Sequence, residues 1–322
     1  MNLSALLPVA VVLALAACGA AQQAPIQPIA TPINVPPTSS ASASAQVPPK
    51  RAESTTLRLI IAGAVPRRVV RYRFSATQSE IATIELRTSH DVDADRDSEA
   101  DAKHPVLRLK IAVEPRQLTS DADLHYDYRL AASEVLKSKG TRPETTAVYE
   151  TVLAELRGLA GTGVVSSHGV SSRLTIVRPK TAPALSDGLI THILQMMRDL
   201  HVPFPDQEIG AGARWAAITT TGDAEDEMMF ALVESTGDAG KVEITVRHVV
   251  ADSTVSITQG DVTISDLVCR GSGSAAFNLG RVVSTSTLSS VTTMKLTRDD
   301  KGKRDTALMT MRVTSRISGS VR

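Results

Sequence analysis

Four kinds of residue in this chain could carry chemistry, and their spacing decides which of them can. The densest acidic stretch is His90-Asp91-Val92-Asp93-Ala94-Asp95-Arg96-Asp97-Ser98-Glu99, where carboxylates two apart could wrap a hard cation. Asp91, Asp93 and Asp95 match the first three ligand positions of an EF-hand loop, but Arg96 stands where glycine is needed and Ala102 where the bidentate glutamate belongs. A solvated loop between two strands is the expectation there. The seven histidines, His90, His104, His125, His168, His192, His201 and His248, include no pair at the four-residue spacing that puts two imidazoles on one helix face for zinc. Each is read as structural or exposed, and no metal site is expected. Serines stand among glycines in Gly271-Ser272-Gly273-Ser274 and between Gly161 and Gly169, without the glycine spacing of a nucleophile elbow. Ser167 and His168 are neighbours in sequence, which says little about space, and Gly161-Thr162-Gly163 lacks the third glycine of a dinucleotide loop and reads as a turn after a helix. No catalytic residue is assigned and no cofactor is expected. A hydrolase is kept as a third reading, because catalytic groups converge from distant positions. The fourth kind is a cysteine thiol, that of Cys18.

Cys18 ends an apolar, uncharged run from Leu3 to Ala17, interrupted by Ser4 and Pro8. That run has the length of a signal-peptide apolar region and is shorter than the roughly 20 residues a membrane-spanning helix needs. Leu15-Ala16-Ala17-Cys18 resembles the lipobox of bacterial lipoproteins, with small residues that pass through a narrow peptidase site. One feature departs from the pattern, since only Asn2 lies between Met1 and the run and the usual Lys or Arg is missing. The resemblance implies acylation of the Cys18 thiol, which becomes the new amino terminus, and lipid anchoring of the chain to a membrane. Gly19 is not the aspartate associated with inner-membrane retention, so the implied address is the outer membrane, facing the periplasm.

Composition narrows the classes further. Hydrophobic residues make up 42% of the 322, enough for a core, and 35 basic residues balance 34 acidic ones. A nucleic-acid partner is not expected, because such proteins concentrate positive charge against phosphates. Aromatic residues are 3%, with Trp215 as the one tryptophan, which argues against exposed stacking platforms. With Cys18 lipidated, Cys269 has no disulfide partner and reads as a buried small apolar side chain.

The elements that would position any site follow in order. Residues 1–17 read as signal peptide, and residues 18–54 as the lipidated Cys18 followed by a Pro-, Ser- and Ala-rich tether with too little apolar bulk to fold. Such a coil spans about 30–35 Å. From Thr55 the pattern has period 2. Val70, Tyr72 and Phe74, then Leu107 to Val113, then Leu124 to Leu130 alternate with charged residues, as antiparallel strands do. Leu57 to Ile61, Ile81 to Leu86 and Arg173 to Val177 are further strands. One helix is predicted from Pro143 to Gly158, with Thr141 and Glu144 at capping-box spacing and Val148, Val152, Leu156 and Leu159 as its stripe. A second is predicted from Ser186 to Leu200, closed by Pro203 and Pro205. Beyond Trp215 strands resume around Met228 to Leu232, Val242 to Val250, Thr254 to Ile264, Ser284 to Leu296 and Met309 to Ile317. Thr236-Gly237-Asp238, Ala239-Gly240 and Asp299-Asp300-Lys301-Gly302 are the turn signals between them.

These readings give residues 55–322 as a single β-rich α+β domain. Its expected form is a large, curved, mainly antiparallel sheet, half-barrel or sandwich-like, with two helices packed on it. The segment Val202-Pro203-Phe204-Pro205-Asp206-Gln207-Glu208-Ile209-Gly210-Ala211-Gly212-Ala213-Arg214-Trp215 resembles the mid-domain segment of uncharacterised Gram-negative envelope lipoproteins of unknown function, and brings no functional residues with it. The architecture is similar to half-barrel carriers that shuttle lipidated cargo and glycolipids. What that similarity implies is an apolar pocket for an acyl chain or similar hydrophobe between the sheet and the Ile190, Ile193, Leu194 and Met197 face of the second helix. The rival expectation is a filled core in a structural or partner-binding envelope protein.

Overall fold

Side chains of an extended segment point alternately to two faces, so a chain that alternates apolar and polar residues builds sheets with one dry face. The computed structural model describes residues 54–94, 99–177, 187–221, 224–249, 253–257, 260–300 and 303–322, and there most of the alternating segments become strands. The expected signal peptide, Cys18 and the expected tether as far as residue 53 lie outside the described residues. The first half holds β1 (Ser54–Ile61), β2 (Glu80–Ala94), β3 (Glu99–Lys103), β4 (Val106–Leu118), β5 (Leu124–Leu136), α1 (Pro143–Glu155), β6 (Ala160–Val165), β7 (Ser171–Val177) and α2 (Asp187–Arg198). The second half is all strand: β8 (Arg214–Thr221), β9 (Ala224–Thr236), β10 (Ala239–Val249), β11 (Ser253–Ile257), β12 (Gly260–Asn278), β13 (Thr285–Asp300) and β14 (Lys303–Val321).

All fourteen strands join one sheet in the order β1-β8-β9-β10-β12-β13-β14-β2-β4-β5-β6-β7, with β3 added to β2 and β11 to β12. Every pairing is antiparallel, and β1 and β7 stand at the two ends of the order. A long ladder joins the two halves: β14 pairs β2 from Ala307 opposite Ala94 to Val321 opposite Glu80. The α+β class, mainly antiparallel with two helices, is what the sequence leads one to expect.

Several expectations change. Val70, Tyr72 and Phe74 alternate and are buried, but their segment is in no strand. Its amides go in opposite directions, Tyr72 N to Ser167 O at 2.7 Å and Arg73 N to Leu279 O at 2.7 Å, so the segment bridges two loops instead of joining a ladder. Gly161-Thr162-Gly163, expected as a turn, lies inside β6, paired to β5 and β7. A Cβ on Gly161 would meet the Tyr128 ring and one on Gly163 the Tyr126 ring, so the absence of a side chain is what lets those tyrosines lie across the strand. Ala239-Gly240 begins β10 and is not a turn, while Gly237, at φ +58, makes the tight connection before it. Thr254 to Ile264 divides into β11 and the start of β12. The acidic stretch extends β2 as far as Ala94, where Asp91 pairs with Arg312 of β14, and its residues 95–98 lie outside the described residues.

Helix α1 starts without the capping box. Arg142 is its cap residue and makes no side-chain capping bond, and Thr141 Oγ1 lies 2.6 Å from Ser138 Oγ. Pro143 needs no cap for its own nitrogen and holds φ ready for the helix. The helix buries Tyr149, Val152 and Leu153, and Leu156 and Leu159 just beyond it are buried too, so of the expected stripe only Val148 is exposed. Helix α2 buries Leu189, Ile190, Ile193, Met196 and Met197. Among the described residues no helix is long and apolar enough to cross a membrane.

Candidate binding cavity

The four phenylalanines, four tyrosines and one tryptophan of the chain are all buried. Most of them surround the strap of residues 199–213 that leaves α2 and crosses the interior to β8. Tyr72 stacks on Phe74 at 4.9 Å, Phe204 meets Phe277 edge-on at 4.9 Å, and Trp215 stacks on Phe230 at 5.6 Å. Trp215 is fully buried and its Nε1 donates to Pro203 O at 2.6 Å.

Residues 200–205 of the strap are mostly buried, so their backbone groups need partners. Val202 N donates to Tyr72 Oη at 3.0 Å, Phe204 N to His168 O at 2.7 Å, and Ser284 N to Leu200 O at 2.8 Å. Pro203 and Pro205 remove two amides from the account. Gly169, at φ +80 in the β6–β7 turn, sits where a Cβ would overlap Val202 O and the Tyr72 ring. Further along, Gly210 passes close beneath Ala64 O, and Gly212 adopts φ +75. The glycines and prolines that make this segment distinctive therefore let it thread the core.

Beneath the last turn of α2 and the start of the strap lies a cavity of about 100 Å³. Its apolar wall includes Val202, Met228, Phe230, Ile244, Leu288 and Ile317. Its polar wall is formed by Ser171, Gln195, Arg198, Asp199 and His201, with Asp226 facing them from β9. Thr55 of β1 and Thr219 of β8 line it as well. The four residues expected to line a pocket sit elsewhere: Ile190, Ile193 and Met197 are buried in the core and Leu194 packs partly buried against it. The cavity takes the adjacent stripe of α2, Gln195 and Met196, and continues to Asp199. An apolar stripe marks the face that packs most fully, so the space left over adjoins the mixed stripe beside it.

Burial dominates the electrostatics. The Asp199 carboxyl is pushed up to about 6 by desolvation, which the Arg198 charge and the Gln195 amide, 3.3 Å away, offset only in part. His201 is pushed down to about 3 by burial alone and is neutral. Its Nδ1 lies 3.3 Å from Ser171 Oγ, and that hydroxyl donates to Arg198 O at 3.3 Å. With the serine proton directed to the carbonyl, the tautomer that satisfies both groups has the His201 proton on Nδ1, donated to Ser171. Nε2 is then a buried lone pair with no partner among the described residues. In that tautomer the imidazole donates to the hydroxyl, the reverse of a base activating a nucleophile. Asp226 Oδ1 lies against Nδ1 of the buried His248, whose pKa burial lowers.

The other histidines do not line this cavity. His90 Nδ1 and His104 Nε2 are 2.7 Å apart, with the Tyr149 hydroxyl 3.4 Å from His104 Nδ1, and burial followed by the His90 charge takes His104 down to about 4. His168 is half-buried, with Nε2 3.1 Å from Asp206 at the outer end of the strap. His192 is buried and His125 half-buried. Among the described residues no three His, Cys, Asp or Glu side chains are grouped as a metal would need. Cys269 is fully buried.

Sequence reasoning missed Asp199, Gln195 and Asp226. An Asp-Leu-His run after a helix carries no motif, and Asp226 reaches the cavity only through the register of β9. No family model matches the chain, and no curated protein matches it.

Proposed function

We propose that the chain is a cell-envelope lipoprotein, acylated at Cys18 and tethered by residues 19–53, whose domain binds a hydrophobic or amphiphilic ligand between sheet and helix. The observation that carries this reading is the cavity under α2, whose walls come from β1, β8, β9, β10, β12, β13 and β14. Seven neighbouring strands of a flat sheet would span about 29 Å. That all seven reach one small space supports a curved, half-barrel sheet wrapped round the helix. Met196 and Met228 in its walls are unbranched and adaptable, so a chain-like ligand can widen it. As it stands the cavity is smaller than the roughly 300–1,000 Å³ of a drug-sized pocket, which fits the end of an acyl chain or a compact amphiphile rather than a whole lipid.

The dense aromatic interior favours a second reading, a filled domain that binds a protein of the envelope. The outer membrane, facing the periplasm, is the proposed location in both. Cys18→Ala should shift the protein from the membrane pellet to the soluble fraction with unchanged circular dichroism; retention in the pellet rejects the anchor. Solvent extraction and mass spectrometry of that soluble protein should then recover an amphiphile in near-stoichiometric amount, and much less from a variant that also carries Ala275→Leu to fill the cavity. Equal or no recovery from both leaves the filled, partner-binding domain.

A further inference from the structure

Resting on the binding reading above, we infer that the ligand presents a hydrogen-bond donor cation, a primary ammonium on a short apolar chain, to Asp199 and His201. Both groups on that wall are acceptors. Among the described residues the Asp199 carboxylate receives only the amide of Gln195, at 3.3 and 3.5 Å, and has lone pairs to spare. His201 is 4% exposed, its Nδ1–H is committed to Ser171, and its Nε2 has no protein partner. A buried acceptor without a donor is costly, as at His201 Nε2, and a group bringing two or three N–H bonds can serve it together with the partly buried Asp199 carboxylate.

The charges agree with the geometry. Three charged side chains line the cavity, the carboxylates of Asp199 and Asp226 and the guanidinium of Arg198. Arg198 directs Nη1 to Gln195 Oε1 at 3.4 Å, and His248, across Asp226, is held neutral by burial. The polar wall also lies at the C-terminal end of α2, where the helix dipole is negative and favours a cation. Across from it, Val202, Met228, Ile244 and Leu288 offer only apolar surface, so the ligand is cationic at one end and oily at the other.

The test compares hexylammonium, 1-hexanol and hexanoate, by titration calorimetry at pH 8, on the full-length Cys18→Ala protein. Hexylammonium should bind about tenfold or more tighter than hexanol, the difference expected of a charge-assisted bond, with hexanoate weakest. Asp199→Asn should abolish the ammonium advantage while hexanol affinity stays within about twofold, the apolar wall being untouched. If hexanol and hexylammonium bind equally, the ammonium site is refuted while the hydrophobic pocket stands. Tighter binding of hexanoate makes Arg198 the anchor and also refutes it. If none of the three binds, the pocket itself falls.

Discussion

Glu80 begins β2 with 1% of its side chain exposed, an unusual place for a carboxylate. Its oxygens accept from Val282 N at 2.8 Å, Val283 N at 3.2 Å and Arg281 Nη2 at 3.0 Å, so it staples the β12–β13 connection to the strand on the far side of β14. A buried carboxylate is tolerable when every lone pair is used in this way, and removing it strands both amides and the guanidinium. Glu80→Ala should lose about 3–5 kcal/mol and Glu80→Gln about 1–3, the amide oxygen still accepting from one amide. Urea denaturation with an unchanged m-value is the measurement, and a loss under about 1 kcal/mol for the alanine variant would show that the staple is incidental. Nothing in the sequence marks Glu80, which stands among other polar residues; its importance comes from a connection two hundred residues away.

At the scale of elements, β6 shows propensity and packing in opposition. Valine is favoured over glycine in strands by up to about 1 kcal/mol, so on propensity Gly163→Val should stabilise. The Tyr126 ring occupies the place its side chain would take, and overpacking of a tight core costs about 1–3 kcal/mol. The expected outcome is a lowered melting temperature, with Gly158→Val as a control whose Cβ meets nothing within 4 Å but whose φ of +87 is strained. A stabilised Gly163→Val would mean that the tyrosine is free to leave. The same opposition explains what the sequence shows and hides. Leu107 to Val113 and Leu124 to Leu130 are readable because each side chain reports the face it sits on. In β6 the glycines erase that report, and Val70 to Phe74 give it falsely, since alternating burial requires an extended backbone but not a neighbouring strand. The candidate site is less readable still. The stripe of α2 announces its core, whereas a cavity is empty space bounded by strands far apart in the chain, and no local pattern encodes it.

For the whole molecule, the buried neutral histidines make acid the expected weakness. An imidazole whose folded pKa lies below its unfolded value of about 6.5 stabilises fully above that value and loses its contribution as pH falls toward the folded one. His104, at about 4, and His201, at about 3, therefore act between pH 6.5 and those values, and His248 acts in the same direction. By pH 4 the first two should each cost on the order of 3 kcal/mol. Asp199 works the other way, because a carboxyl raised to about 6 stabilises when protonated and is costly once pH rises past 6. Protonating it offsets the loss by about 2 kcal/mol over the same interval. The histidines win, and a deficit of several kcal/mol is a large part of the stability of an ordinary domain. The urea midpoint should thus be flat above pH 7 and fall steeply between pH 6.5 and 4. Asp199→Asn should raise the midpoint at pH 8 yet steepen the acid fall, while His201→Gln, uncharged at every pH, should make it shallower. A midpoint that held or rose on acidification would mean that the interior takes up protons without opening. The cavity wall would then be solvated in a way its burial does not indicate, and the case for a desolvated acceptor pair waiting for a cation would weaken with it.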